Sequence, residues 1–376
     1  MLYFLLVLFA GMALIFLGTY LGYFAYLWRC TRKSWKLNIE RSFQPKITIL
    51  VPVHNEESSI ESKLKNIRNV VYPKDQIELI IVDDASEDKT LEKVRVFAEN
   101  NPDLRLTVIR QNSRVGKSVA LNKALDLSTN EIVVVSDADT LWSPNILVEA
   151  LPYLADSTVG AVTGRGVNRN VSESWVTKGE DIYLKLTSLM RLGESKIHST
   201  IRFEGGFCAY KRNAFKKFDC ETGSDDSGTA LEVVQNGFRA VLVPEAVFYT
   251  NFPAKLQEKL KIKARRANQL IGLWVKCLKL MVNGKLRFPK KIAMPEMMLF
   301  IFNPVIFVAI AVITLTTIVL FPLSFFSIAI LLFIAGLLIF VRNIFFETVL
   351  DNLILFYALI SFVFGRRYIS WEKAEP

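Results

Sequence analysis

The chain of 376 residues is 51% hydrophobic with a formal net charge of +10, which excludes an ordinary water-soluble globular chain and fits a soluble domain joined to membrane segments. The charge does not indicate nucleic acid. It sits in two blocks, Arg29 to Lys46 and Lys255 to Lys291, each beside an apolar stretch, where the positive-inside rule and anionic headgroups account for it.

Leu2 to Trp28 holds no charged residue over 27 positions, enough for about 40 Å of helix at roughly 1.5 Å per residue against a hydrocarbon core of about 30 Å. With neither the basic start nor the cleavage site of a signal peptide, residues 1–28 are expected to form a retained transmembrane anchor. The four cysteines, Cys30, Cys208, Cys220 and Cys277, form no CxxC pair, so neither a disulfide framework nor a zinc site is indicated and a reducing compartment fits. Residues 38–254, of mixed composition, are expected to form a domain facing the cytoplasm.

Within that domain ITILVPV (47–53), IELIIVDD (77–84), LRLTVI (104–109) and EIVVVSD (131–137) predict fully buried strands, and residues 56–69, 88–100 and 117–127 have helical spacing. The alternation predicts an α/β fold, a mostly parallel sheet with helices on both faces, and such sheets bind ligands at the carboxyl ends of their strands. Polar residues cluster at those ends: Pro52, His54, Asn55 and Glu56 after the first, Asp83 and Asp84 after the second, Arg114, Gly116 and Lys117 after the third, and Asp137 and Asp139 after the fourth. One acidic pair is more often a cap or a solvated turn; four clusters on one rim point to a site. Carboxylates at i and i+2 repel unless a cation lies between them, and Mg²⁺ or Mn²⁺, which take oxygen ligands and leave positions for diphosphate oxygens, suit the role.

Residues 255–292 alternate basic residues with Leu256, Leu260, Ile262, Leu270, Ile271, Leu273 and Trp274, a pattern for a helix in the membrane interface or one packed on the soluble domain. Residues 294–365 hold three apolar stretches, roughly 297–321, 324–341 and 344–364. Three spans would leave Arg366, Arg367 and Lys373 of the tail (366–376) on the non-cytoplasmic side; two spans plus an interfacial or re-entrant segment would not. Glu347 and Asp351 share one helix face and are expected to pair with Arg342.

Several of these motifs resemble glycosyltransferase family 2, in order along residues 46–280. VPVHNEE resembles the family's VPxYNEE, IIVDDASED its VDDGSTD, GKSVALNKAL its GKAxALNxG, SDAD its DxD, and DDSGTALEVVQNGFRAVLVPEAV its EDxxLxxxLxxxGYRVxxVPEAV. The flanking membrane segments resemble the cellulose-synthase-like branch and polyprenyl-phosphate sugar transferases. The resemblance implies a GT-A fold and transfer of a sugar with inversion from a nucleotide-sugar, GDP-mannose or a UDP-hexose, to a lipid-linked acceptor. It places the base and ribose at Pro52, His54, Glu56, Asp84 and Asp83, and Lys117 near the nucleotide. Asp137 would touch nucleotide and metal, and Asp139 would ligate the metal. Asp226 would be the general base beside Asp225, which stands where the family has glutamate; His54 stands where it has tyrosine.

FEGGFCAYKRNAF (203–215) resembles the acceptor-side segment, with Gly205 and Gly206 permitting close approach to sugars or forming a turn at positive φ. The QxxRW motif of processive synthases is absent, since the region reads KLKIKARRANQLIGLW (259–274). Its absence favours one transfer per acceptor over a processive polysaccharide synthase, and leaves Lys263, Arg265 and Arg266 to grip a diphosphate or headgroups. A non-catalytic scaffold would have damaged metal and base positions, yet Asp137, Asp139 and Asp226 are present.

Overall fold

The β-branched runs assemble into one sheet. Its strands are β1 (Ile47–Val53), β2 (Ile77–Asp83), β3 (Arg105–Arg110), β4 (Ile132–Val135), β5 (Leu141–Trp142), β6 (Val159–Asn168), β7 (Cys208–Lys211) and β8 (Arg239–Thr250), in the order β3-β2-β1-β4-β7-β6-β8-β5. The structure, a computed structural model, describes residues 1–366; Arg367 and Lys373 of the expected tail lie outside the described residues.

The first four strands are mutually parallel, as expected. The second half departs from the expectation: β7 runs antiparallel to both β4 and β6, and β5 antiparallel to β8, so the sheet is mixed. The third strand also differs, with alternating exposure in place of full burial, because it lies at the sheet edge.

The helices are α1 (Leu2–Leu17), α2 (Tyr23–Thr31), α3 (Ile60–Arg68), α4 (Thr90–Glu99), α5 (Lys117–Leu127), α6 (Ile146–Ala150), α7 (Trp175–Ile197), α8 (Asp225–Gln235), α9 (Leu256–Val282), α10 (Lys290–Met297), α11 (Asn303–Leu320), α12 (Phe325–Phe340) and α13 (Arg342–Val363). Side-chain alternation along β1 sends Ile47, Ile49, Val51 and Val53 to a core shared with α3, and Leu50 to a core shared with α5.

Leu2–Thr31, Lys290–Leu320 and Arg342–Val363 are long and apolar enough to cross a membrane. The fourth apolar helix, α12, has 16 residues, about 24 Å at roughly 1.5 Å per residue and short of a hydrocarbon core of about 30 Å. By length and composition the C-terminal region thus holds two candidate spans and a shorter helix.

Between the sheet domain and these helices lies α9, covered on both sides. Leu273, Trp274 and Cys277 join the core of the sheet domain, while Ala267 and Ile271 pack on Ile354 and Ala358 of α13. Buried charges reinforce this second contact. Glu347 and Asp351 do not pair with Arg342 as expected. Lys259 Nζ lies 2.5 Å from Glu347 Oε1, and Lys263 Nζ lies 2.6 Å from Asp351 and 3.2 Å from Glu347. Arg342 is exposed at the start of α13, while these carboxylates face two lysines already desolvated by packing.

Candidate active site

Strand β1 is followed in sequence by β2 on one side and flanked by β4 on the other, so the sheet order reverses here, and such a reversal opens a crevice. The pairing of β1 with β4 ends at Leu50 and Val135. Pro52 lies just beyond, where its missing N–H removes no bond to β4.

The part of the rim beyond β1, β2 and β3 is built by backbone-to-carboxylate bonds. Asp84 accepts N–H bonds from Val115 (2.9 Å) and Gly116 (2.8 Å), one on each oxygen. It therefore holds the loop whose next residue is Lys117, and Gly116 adopts φ +94°, a conformation natural to glycine. His54 Nδ1 donates to the Asp84 carbonyl at 2.8 Å. Glu56 is buried and accepts the Ser59 hydroxyl.

His54, Asn55, Ala85, Asn112 and Arg114 line a concavity at the ends of β1, β2 and β3. Asn55 (φ 55°) and Ala85 (φ 59°) are the non-glycine residues with positive φ among those described, and such strain gathers at binding sites. At these strand ends Asp83 Oδ2 and Gln111 Nε2 are buried without a hydrogen-bond partner, one acceptor and one donor. Gln111 carries no motif and was not singled out from the sequence.

The second cavity, of about 420 Å³, holds the charged cluster. Lys117 Nζ lies 2.7 Å from Asp137 Oδ1 and 3.2 Å from Asp225 Oδ2, joining the end of β4 to the first turn of α8. Burial disfavours the Lys117 ammonium, but Asp137, Asp225 and Asp226 outweigh it and hold its pKa well above the usual value. Asp137 is likewise desolvated, yet Lys117 keeps it below the ordinary carboxylate range.

Two carboxyls are not compensated in this way. Desolvation raises Asp225 to about 6, with Asp226 and Asp137 adding to the rise against the pull of Lys117. Asp139 is exposed at the mouth of the crevice, yet desolvation by its surroundings, with Asp137 and Glu56, pushes it up to about 6. Asp226 accepts from the Ser224 hydroxyl (2.6 Å) and the Ser227 N–H (2.7 Å).

Gly205 and Gly206 are required by space, and neither has positive φ. A Cβ on Gly205 would lie 2.6 Å from Asp137 Oδ2 and 2.8 Å from Lys117 Nζ, and one on Gly206 would lie 2.2 Å from the Phe248 ring.

Of the three basic residues on α9, Lys263 is committed to carboxylates: besides Asp351 and Glu347 it lies 3.5 Å from Glu180. It lines the cavity as the other two do, with its charge shared among these carboxylates. Arg265 and Arg266 line the cavity; Arg266 lies 4.0 Å from Glu180, and its charge contributes to holding the Asp137 carboxyl down.

Helix α7 provides a further wall that no sequence motif marks. Glu180, Tyr183, Leu184, Thr187 and Arg191 recur at helical spacing along the cavity, with Arg191 Nη2 2.8 Å from Glu204. Beyond them the cavity reaches Tyr20 of the N-terminal helix, Leu299 and Phe300 near the start of the second candidate span, and Ile354 and Leu355 of α13. Lys63, fully buried on α3, is likewise marked by no motif; desolvation pushes its pKa down to about 7 against the pull of Asp137 and Asp139.

A divalent cation fits Asp137 and Asp139 on the chemistry of the donors: two hard carboxylates, one of them raised by its neighbour, with open space beside them. No group of three or more His, Cys, Asp or Glu able to hold a metal occurs among the described residues. The pair would therefore need ligand oxygens to complete a coordination shell.

A mixed sheet with a charged crevice at its point of reversal and apolar helices at both ends defines an α/β domain attached to membrane-type helices. Residues 48–219 match Glycosyl transferase family 2, and the chain belongs to that family. It is similar to the mannosyltransferase PcManGT from Pyrobaculum calidifontis, solved in complex with GDP-Man and Mn²⁺: 31% identity, TM-score 0.83, covering 96% of this chain and 100% of that one. The probable glycosyltransferase YdaM of Bacillus subtilis is 28% identical over 64% of this chain and 59% of its own length. The β-monoglucosyldiacylglycerol synthase of Nostoc is 38% identical over 36% and 29%. The chain thus spans little more than half of the first of these curated relatives and under a third of the second.

Proposed function

We propose that this protein is an inverting, metal-dependent glycosyltransferase that moves a single sugar from a nucleotide-sugar, GDP-mannose in the first instance, to a lipid-linked acceptor at a membrane surface. The observation that carries the reading is the continuity of one cavity. It begins at Lys117, Asp137, Asp139, Asp225 and Asp226 and ends at Leu299, Phe300, Ile354 and Leu355, on or beside helices apolar enough to span a bilayer. A water-soluble donor suits the first end and a lipid-borne acceptor, polyprenyl or dolichyl, suits the second.

The donor's base enters the concavity beside His54 and Arg114, and behind it Asp83 Oδ2 and Gln111 Nε2, neither hydrogen-bonded within the chain, are an acceptor and a donor close to where a base edge would lie. Guanine in particular is suggested by the similarity to a structure holding GDP-Man. The diphosphate lies against Lys117, with Arg265 and Arg266 lining the same cavity. Asp139 and Asp137 would hold Mg²⁺ or Mn²⁺, which supplies charge neutralisation on the departing diphosphate.

On the acceptor side Asp226 removes the proton from an attacking sugar hydroxyl, a poor nucleophile until that proton leaves. The hydroxyl oxygen bonds to the anomeric carbon as the bond to the diphosphate oxygen breaks on the opposite face, which inverts the configuration. Lys117 holds Asp225 within this constellation and keeps it apart from Asp137. The catalytic domain faces the cytoplasm in this reading, where nucleotide-sugars are available and where the basic blocks belong by the positive-inside rule.

The test is a panel of labelled nucleotide-sugars incubated with membranes containing the protein, with Mn²⁺ or EDTA, followed by extraction of lipid. Label in the lipid phase from GDP-mannose, abolished by EDTA, is the expected result. No lipid-soluble label from any donor overturns the reading.

A further inference from the structure

Helix α3 buries a stripe of Ile60, Lys63, Leu64 and Ile67, spaced as an apolar face should be, with a lysine in the second position. An apolar residue would fill that place without the cost of desolvating an ammonium, so what Lys63 touches must account for it. Its Nζ donates to Ser136 Oγ at 2.5 Å and to the Thr140 carbonyl at 2.9 Å, and lies 4.4 Å from the centre of the Trp142 ring. Ser136 immediately precedes Asp137 and Thr140 immediately follows Asp139, so one side-chain nitrogen holds both ends of the turn that carries the two carboxylates.

The contact reaches further. Ser136 Oγ, accepting from Lys63, donates to the Gly206 carbonyl at 3.0 Å, and Trp142 Nε1 donates to the same oxygen at 2.7 Å. The Asp137 N–H donates to Gly205 O at 2.9 Å. One turn along α3, Asn66 bonds Trp142 through both its N–H (2.7 Å) and its carbonyl (2.9 Å). The turn and the glycine segment are thus fastened from behind by one helix that contributes nothing to the cavity surface itself.

We propose that Lys63 is a positioning residue for the donor: by clamping Ser136 and Thr140 it presents Asp137 and Asp139 to a nucleoside diphosphate with its divalent cation and keeps that turn in register with Gly205 and Gly206. The proposal rests on the reading of the crevice as a nucleotide-sugar site. It adds a residue that no motif marks.

The test uses the full-length protein in detergent and measures the affinity for GDP, and for UDP, in the presence of Mn²⁺ by calorimetry, with a thermal melt without ligand alongside. Lys63→Met is expected to weaken nucleotide binding by about tenfold or more, the scale on which residues that orient metal ligands act. Lys63→Gln can still donate to one of the two oxygens and is expected to fall between it and the natural protein. Ser136→Ala, which removes one partner of the clamp, is expected to weaken binding in the same direction. A purely structural role would lower the melting temperature and leave the affinity of the folded protein unchanged. That outcome in Lys63→Met, or in Ser136→Ala should Lys63→Met fail to fold, overturns the proposal. Absence of binding of either nucleotide by the natural protein would instead remove the donor reading on which it stands.

Discussion

The two halves of the molecule hold their charged groups by different means. In the proposed donor half, at the end of β2, carboxylates accept neighbouring backbone N–H groups, Asp83 from Ser86 and Asp84 from Val115 and Gly116. In the acceptor half, charges are held by other charges from distant segments, as Lys263 is by Asp351, Glu347 and Glu180. The first arrangement leaves a rim rigid before a ligand arrives; the second welds α9 to α7 and α13 and gives the cavity its far wall. The two halves meet at Lys117, between Asp137 and Asp225.

If Asp226 is the base that the proposed mechanism requires, removing it should affect turnover alone. Asp226→Asn is expected to lower transfer by about 10²–10⁴-fold, the range for a positioned base, while GDP binding with Mn²⁺ stays within a factor of two or so of the natural protein. Single-turnover transfer and calorimetry on the same preparation check this. Near-normal turnover would show that the acceptor oxygen arrives already ionised, as a phosphate does.

On the acceptor side the expected failure is one of stability. Lys263→Met removes the cation nearest to partly buried Asp351 and leaves buried Glu180 with only the more distant Arg266, and losing one partner of a fully buried pair costs about 3–5 kcal/mol, an upper bound here. The thermal transition should fall by several degrees, and the double change Lys263→Met with Asp351→Asn should recover part of the loss. No change in the melt would mean that the tether is incidental to the fold.

Gly205 tests the meeting point. Gly205→Ala places a methyl group 2.6 Å from Asp137 Oδ2 and 2.8 Å from Lys117 Nζ, so one of them must shift. A misplacement of about 1 Å at reacting groups costs about 10²-fold in rate, and that fall in kcat is expected with an unaltered melting temperature. Gly206→Ala, which meets the Phe248 ring, should lower the melting temperature as well.

These contrasts also mark what could be read in the sequence. The parallel strands and the carboxylates at their ends were legible, because a buried parallel strand must be a continuous apolar run and a charge placed at its end stands out against it. Lys63 left a fainter trace, one cation on an otherwise apolar helical face. The antiparallel β7 left none, since its pairing with β4 depends on a chain reversal some 70 residues later. Nor did the pairing of Lys259 and Lys263 with Glu347 and Asp351 across more than 80 residues, because helical spacing names neighbours on one helix and is silent about the helix opposite. Local periodicity therefore described the donor half well, and the acceptor half, held by long-range ion pairs, required the structure.

The pH dependence separates chemistry from unfolding. Asp225 and Asp139 have pKa values near 6 in the folded protein, both above the ordinary carboxylate value. As pH falls from 7 the folded state takes up these protons before the unfolded chain does. Between about pH 6 and pH 4 the folded state then binds more protons, and through these two groups stability rises as pH falls. Transfer should move the opposite way: protonated Asp139 loses its value as a metal ligand and protonated Asp225 its pairing with Lys117, so kcat/KM should decline below pH 6 by about tenfold per pH unit where one of these charges is needed and by up to about a hundredfold where both are. The kcat/KM for transfer and the thermal melt of the ligand-free protein, each followed from about pH 7.5 to about 5, should diverge. If the two decline together, acid unfolding explains the loss of rate; if the rate holds to pH 5, these carboxyls do not need their charge. In Asp225→Asn the rise in stability should shrink by the share that Asp225 contributes, which assigns the effect to the acceptor side of Lys117.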